Sequence, residues 1–174
     1  MEVENFITAL SKSSIIENYV FKNPKLICKS IAGKTFKSCV FNQGFFLCND
    51  IAHCKFDNCK FVDCEFNQIY GPWIKWQNCH FINTQISFSC LYQNTFNNSQ
   101  YDKGLLEATN LSNSVMQNTK FLGTLIKQCV LEPIFKDEKT CFEKCSTIIS
   151  SIINKTIDEY QMLIEEGEKE DANV

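Results

Sequence analysis

Arginine is absent from the chain, and all 17 of its basic residues are lysines. Arginine reads guanine and clamps phosphate through paired hydrogen bonds, so its absence disfavours sequence-specific recognition of duplex DNA. Glycine (6) and proline (3) are scarce, and the glycines form no phosphate-binding loop. No apolar run reaches the roughly 18 residues of a membrane-spanning helix. The acidic start, Met1 to Asn5, also lacks the basic residues of a secretory signal peptide.

Residues that could carry chemistry are few. The two histidines, His53 and His80, are predicted to face solvent on different sides of the fold. Cys141 and Cys145 could lie one helical turn apart, but a structural zinc site needs four ligands and no others are evident. We therefore predict no catalytic residues, no metal, no cofactor and no enzymatic activity.

The dominant feature of the sequence is a period of five residues between positions 31 and 131. Of the 21 positions in this frame only Gly71 is not large and apolar, whereas a hydrophobic content of 44% would fill about nine by chance. The heart of the pattern is a run of aromatic and aliphatic residues: Phe36, Phe41, Phe46, Ile51, Phe56, Phe61 and Phe66.

A second frame lies two residues upstream, where 15 of 21 positions hold Cys, Ser, Thr or Gly. Neither a helix, with a period of 3.6, nor a long strand, with a period of 2, turns one large and one small side chain inward every five residues. Short extended segments separated by turns do so, and four such segments close a coil of twenty residues. Coils of this kind stack like parallel strands, about 4.8 Å apart.

The pattern resembles the pentapeptide-repeat family, whose repeat is matched by residues 54–58 (CKFDN), 59–63 (CKFVD) and 64–68 (CEFNQ). The resemblance covers roughly residues 26 to 131. It implies an all-β solenoid, namely a right-handed quadrilateral parallel β-helix, here of about five coils. A short N-terminal cap helix and a C-terminal amphipathic α-helix complete the predicted fold.

The expected organisation has four parts. Residues 1–25 form an N-terminal capping segment, 26–134 the β-helix, 135–167 a C-terminal helical element and 168–174 a disordered acidic tail. From about Cys141 to Glu166 the apolar period becomes helical, and one stripe carries the residues Ile149, Ile152, Ile153, Ile157, Tyr160 and Leu163. This stripe is expected either to cap the last coil or to form a homodimer.

The chain has eleven cysteines, of which six occupy the small inward position. Cysteine there behaves as a compact buried side chain. We therefore expect free thiols in a reducing compartment, and hence a cytoplasmic protein. The lack of arginine and the abundance of Asn, Ile, Lys and Phe suggest an AT-rich, bacterial source.

Gly71-Pro72 is the one disturbed place in the repeat, either a loop or a turn that stays in register. If the frame holds, several aromatic residues gather near one corner and form a candidate protein-binding patch: Tyr70, Pro72, Trp73, Phe88 and Tyr92. The alternatives are that Trp73 folds inward over the Gly71 gap, or that a terminal segment covers the patch.

Two functions compete. The residues favour a non-enzymatic protein-binding rod whose partner is unknown. The resemblance implies the alternative, a Qnr-type or toxin-immunity protein that protects DNA gyrase or topoisomerase IV by mimicking DNA. Eight lysines against six acids between residues 31 and 131 weaken the mimicry, because a DNA mimic needs negative potential along its length. Direct nucleic-acid binding is disfavoured, although Lys55 and Lys75 should stack on one wall.

Overall fold

The structure is a computed structural model that describes residues 2–3, 5–148 and 154–155. In this part of the chain the backbone winds into a solenoid with four walls. Three walls are parallel sheets of short strands, and the fourth is joined by single bridges between successive coils. Partners in neighbouring coils are twenty residues apart, as in the pairing of Phe36 with Phe56.

Walls one to three are named in the order in which the chain meets them from Ile15 onward. Wall one contains the strands Ile15–Glu17, Thr35–Lys37, Lys55–Asp57, Lys75–Gln77, Thr95–Asn97, Ser114–Gln117, Ile134–Lys136 and Asn154–Lys155. Wall two contains the strands Glu2–Val3, Tyr19–Lys22, Val40–Asn42, Lys60–Val62, His80–Ile82, Gln100–Asp102, Lys120–Leu122 and Cys141–Glu143. Wall three contains the strands Lys25–Ile27, Phe45–Leu47, Glu65–Asn67, Gln85–Ser87, Leu105–Glu107, Leu125–Lys127 and Ser146–Ile148.

Wall four has no strand of its own in the described residues. It is a ladder of bridged residues on successive coils: Ser30, Asp50, Tyr70, Cys90, Asn110 and Val130. The predicted four-sided parallel solenoid of pentapeptide repeats is therefore confirmed. The prediction of about five coils was wrong, because the described strands form about seven turns.

The error in the coil count comes from both ends of the repeat. Ile15–Glu17 already pairs with Thr35–Lys37, so the solenoid begins before the predicted boundary at residue 26. At the other end Cys141–Glu143 and Ser146–Ile148 extend walls two and three past the predicted boundary at residue 134. The coiled backbone therefore extends beyond the residues in which the five-residue sequence pattern is clear.

The core is built from ladders of stacked aromatic rings. Phe61 lies between Phe41 and Phe81, with ring centroids 4.8 and 5.0 Å away and ring planes within 10° of parallel. The small inward side chains run beside these ladders and donate to carbonyl groups of the previous coil, as Thr84 does to Phe61. Burial of the rings and satisfaction of the backbone therefore repeat with the same period.

Each corner requires one residue with positive φ. The residue at each corner comes two positions after a large inward side chain and has a φ near +50°. Asparagine is the commonest residue at this position, as at Asn58 and Asn78. Asn adopts this left-handed conformation more readily than most non-glycine residues. The frequent Asn at this position is therefore a consequence of the corner geometry, which the sequence pattern alone did not reveal.

The N-terminal helix spans Phe6–Lys12 and closes one end of the solenoid. The side chain of Asn5 caps it by accepting hydrogen bonds from the amides of Ile7 and Thr8. Phe6 is buried and its ring lies 5.0 Å from that of Phe21. The expected short cap helix is present, with Phe6 plugging the aromatic core.

At the C-terminal end the structure corrects the sequence prediction. A helix was expected from about Cys141, but residues 141–143 and 146–148 are strands. Lys120 pairs with Cys141, twenty-one residues later, so one extra residue has entered the last coil. Asp137 stabilises this turn, because its carboxylate accepts hydrogen bonds from the Asn118 amide and from the Thr140 amide and hydroxyl.

The first part of the predicted helix, from Cys141 to Ile148, therefore belongs to the solenoid. Its apolar residues Ile149, Ile152, Ile153, Ile157, Tyr160 and Leu163, and the predicted acidic tail at 168–174, lie outside the described residues. Homodimerisation through a C-terminal helix consequently has no support from the described fold. A helix across 135–148 would have left Lys120–Leu122 and Leu125–Lys127 without hydrogen-bond partners on that side.

We expect Phe61→Leu to lower the free energy of unfolding by about 1–2 kcal/mol, since the smaller side chain loses ring contacts to Phe41 and Phe81 and leaves a void. Thermal unfolding followed by circular dichroism measures the change. Val62→Ala, on the outer face of the same strand, is the control and should change stability much less. Equal stability of wild type and Phe61→Leu would contradict the stacked core.

Candidate functional site

The Gly71-Pro72 segment stays in register with the rest of wall four. Tyr70 bridges Asp50 on one side and Cys90 on the other. The amide of His53 donates to the Pro72 carbonyl at 3.0 Å. No loop leaves the solenoid here, so the residues at this corner are held by backbone pairing to both neighbouring coils.

The gap left by Gly71 is filled by other residues. A Cβ at this position would come within 2.7 Å of Ile74 Cδ1, 2.9 Å of Ile51 Cγ1 and 3.0 Å of Leu91 Cδ2. Ile74 occupies an inward position that holds small residues in most repeats, and its larger side chain uses the space. Trp73 therefore does not fold inward, and 43% of its surface is exposed.

Four side chains form the feature that we call the aromatic corner: His53, Tyr70, Trp73 and Tyr92. The imidazole of His53 stacks on the Trp73 ring, with centroids 4.9 Å apart and an interplanar angle of 10°. The Trp73 ring meets Tyr92 edge-on at 5.6 Å. The hydroxyl oxygens of Tyr70 and Tyr92 lie 3.4 Å apart. This arrangement is a continuous surface across three coils.

Two members of the predicted patch, Pro72 and Phe88, do not belong to the aromatic corner. Pro72 is buried rather than exposed. Phe88 is 59% exposed but occupies the corner before wall four, and no ring contact within residues 5–148 joins it to Tyr70, Trp73 or Tyr92. The sequence pattern does not single out His53, because an isolated histidine at an outward position is expected to be solvated. The signal was its spacing of twenty residues from Trp73, which places the two rings on adjacent coils.

The backbone at Trp73 is strained. Its φ is +57°, and that of Phe88 is +50°. Bulky residues rarely adopt this conformation, and each such residue carries a penalty of order 1–3 kcal/mol. Most other corners use Asn, Gln or another small or polar residue for the same conformation. An exposed tryptophan at a strained corner is unfavourable for the fold alone, which makes it a candidate for function.

Beside the aromatic corner lie one aspartate, which is hydrogen-bonded, and two lysines. Asp50 is the nearest acid on wall four, and its two carboxylate oxygens accept from the Ser30 hydroxyl and the Ala52 amide. Lys55 and Lys75 follow His53 and Trp73 by two residues and pair in register on wall one. Within residues 5–148 neither lysine makes an ion pair. The aromatic corner is therefore bordered by positive charge.

The titratable groups of the described chain do not form a reactive site. Burial raises the pKa of the Cys54 thiol to about 12 and that of Cys64 to about 11, so neither is a nucleophile near neutral pH. The hydrogen bond between the hydroxyls of Tyr92 and Tyr70 raises the pKa of Tyr92.

Within the described residues no group of three or more His, Cys, Asp or Glu side chains is arranged to hold a metal ion. None of the helical residues in the same part of the chain forms a segment that could cross a membrane.

No protein-family model matches the sequence, and comparison with curated proteins also gives no match. Solved structures with a similar fold include trypsin-treated QnrB1, a plasmid-mediated fluoroquinolone resistance protein. Its alignment covers 85% of this chain and 97% of QnrB1, with 11% identity and a TM-score of 0.49.

Two cyanobacterial pentapeptide-repeat proteins are also found. Rfr23 from Cyanothece 51142 is 9% identical over 86% of this chain and 98% of its own, with a TM-score of 0.33. HetL from Nostoc sp. strain PCC 7120, involved in heterocyst differentiation regulation, is 6% identical over 82% and 90%, with a TM-score of 0.22. At these levels the roles of the three proteins do not transfer to this chain.

We expect Phe88→Asn to raise the unfolding temperature. The change relieves a left-handed φ at a bulky residue and removes an exposed ring, and a gain of about 1 kcal/mol corresponds to roughly 2–4 °C for a chain of this size. The reciprocal change, Asn113→Phe at the equivalent conformation, should lower the unfolding temperature. Lower stability of Phe88→Asn would show that the ring stabilises the fold.

Stability should also fall on mild acidification because of His80. Burial lowers the pKa of His80, nearby Lys60 lowers it further and Asp102 opposes the shift, and its buried Nε2 atom has no hydrogen-bond partner. A lowered pKa means that the unfolded chain binds the proton more readily. Stability is therefore retained above the unfolded-state pKa of about 6.5 and decreases as the pH falls below it.

The measurement is thermal unfolding between about pH 7.5 and about pH 5.5. Wild type should lose more stability across this range than His80→Gln, which cannot be protonated. Lys60→Gln should reduce the dependence, since one of the causes of the pKa shift is removed. Identical pH profiles for wild type and His80→Gln would remove His80 from the explanation.

Proposed function

We propose that this chain is a non-enzymatic protein-binding rod and that the aromatic corner is the centre of its contact surface. The observation that carries the proposal is Trp73, an exposed ring held at a strained positive φ and supported by His53 and Tyr92. Exposed tryptophan and tyrosine side chains that are already fixed by their neighbours are typical of binding hot spots, because little conformational entropy is lost on association.

The partner should present apolar side chains together with acidic ones. The ring surface provides apolar contact area, and Lys55 and Lys75 add positive charge along the adjoining wall. The nearest acid on wall four, Asp50, already accepts two hydrogen bonds within that wall. An acidic, partly apolar segment of another protein matches this surface better than a basic one.

Protection of gyrase or topoisomerase IV by DNA mimicry is less favoured. Wall one carries Lys37, Lys55 and Lys75 beside Asp57, and no wall of the described solenoid is lined by acids alone. The negative potential that a DNA mimic needs is therefore broken along the rod. This function stays a prediction, as does a cytoplasmic location.

A pull-down from bacterial lysate with the double variant Trp73→Ala, Tyr92→Ala tests the proposal. The variant should lose at least about tenfold in affinity for any partner captured by wild type, since truncating a hot-spot aromatic weakens binding by about 2 kcal/mol or more. Val62→Ala, Ile82→Ala on wall two is the matched control and should retain binding. Equal capture by wild type and the aromatic variant would refute the proposed surface.

A supercoiling assay with gyrase and a quinolone addresses the second candidate. We expect that adding this chain changes neither supercoiling nor its inhibition. Rescue of supercoiling that survives the aromatic double substitution would show instead that the rod acts on topoisomerases through another wall. Topoisomerase IV provides a second enzyme for the same comparison.

A further inference from the structure

Two of the eleven cysteines are exposed, and they are neighbours. All eleven are in the reduced thiol form, yet only Cys28 and Cys48 are exposed; the others are buried or partly buried. Both lie at the corner between walls three and four, in the first and second coils. They were not distinguished by the sequence pattern, because they do not occupy the small inward position.

The backbone places these two residues side by side. The strands that lead into them pair in parallel, with Ile27 opposite Leu47, and the amide of Cys28 donates to the Leu47 carbonyl at 2.9 Å. Both residues have the same left-handed conformation, with φ of +51° and +52°, so their side chains leave the backbone in the same direction. Adjacent strands lie about 4.8 Å apart, which is within the Cα separations that disulfides span.

The exposed pair differs from the buried thiols in freedom of movement. Buried Cys39 donates to the carbonyls of Ile16 and Lys37, and buried Cys59 donates to those of Phe36 and Asp57. These bonds and the surrounding core fix the buried rotamers. Cys48 instead donates to the exposed side chain of Gln68 at 2.8 Å, and this contact can be given up without disturbing the backbone.

The two thiols also affect each other electrostatically. The pKa of Cys48 is raised by desolvation, by the charge of Cys28 and by a hydrogen bond with the Cys28 thiol. Because thiolate is the reacting form, exchange reactions at this pair should accelerate as the pH rises above neutral.

We propose that Cys28 and Cys48 form a dithiol modification site that reacts with low-molecular-weight disulfides and closes to an intrachain disulfide. The thiolate of one cysteine attacks the disulfide RSSR, forms a mixed disulfide and releases one thiol, RSH. The second cysteine then attacks the mixed disulfide at the protein sulfur and releases the second RSH. The protein loses two hydrogens and two electrons, and the small disulfide is reduced to two thiols.

The bond would join the first coil to the second at the N-terminal end of the solenoid. It would close a loop of about twenty residues and restrict the unfolded chain, so the oxidised protein should unfold at a higher temperature than the reduced one. Reduction by an added dithiol would reverse the change. The inference is independent of the aromatic corner, since it concerns a different corner of the rod.

The test treats the folded full-length protein with oxidised glutathione at mildly alkaline pH and analyses it by intact mass and peptide mapping. Wild type should lose two hydrogens and yield one cross-linked peptide containing Cys28 and Cys48. Cys28→Ser should instead stop at a glutathione adduct on Cys48. Cys90→Ser, which alters a partly buried thiol on wall four, is the control and should form the same cross-link as wild type.

Separate glutathione adducts on Cys28 and Cys48, with no cross-linked peptide, would overturn the proposal because the thiols would then be too far apart to react with each other. A lack of reaction at both thiols would overturn it as well. So would a cross-link between two chains that appears without the intrachain one.

Discussion

The twenty-residue register between neighbouring coils is the constraint on which the rest of the structure depends. Neighbouring coils pair their backbones in register, so an inward side chain stacks on the residue twenty positions away, except in the last described coil, where the spacing is twenty-one. Phe41, Phe61 and Phe81 satisfy this requirement as a column of nearly parallel rings. The same register places His53 against Trp73 and Cys28 beside Cys48 on the outside. Surface features of this fold are therefore columns along the rod rather than isolated residues.

Where one inward position departs from the repeat, the side chain at the other inward position changes in size to compensate. Gly71 removes a large side chain, and Ile69 and Ile74, at positions that are small elsewhere, are both buried nearby. The opposite exchange occurs at Gly104, where a side chain would clash with the Tyr101 ring, whose hydroxyl donates to the Thr84 carbonyl at 2.6 Å. The interior stays filled, which close packing requires, and the coils keep their register.

Most of the fold could be predicted from the sequence because one period determines the inward residues, the walls and the parallel pairing. The C-terminal coil could not, since a single extra residue before Thr140 shifts the frame, and Phe142 then stacks on Phe121 out of the expected phase. At the aromatic corner, the exposure of Trp73 followed from the frame. The burial of Pro72, the separation of Phe88 and the stacking of His53 did not, because these depend on how side chains at successive corners orient.

The register can be measured directly by pulsed electron spin resonance between nitroxide labels attached through chemistry that does not use cysteine. Asn118 would carry one label, and Asn58, Ser38 or Asn18 would carry the other, since all four lie at the same corner of their coils. The account predicts that the backbone separation rises linearly, by about 4.8 Å for each twenty residues. Distances that do not increase in equal steps would contradict the stacked-coil fold.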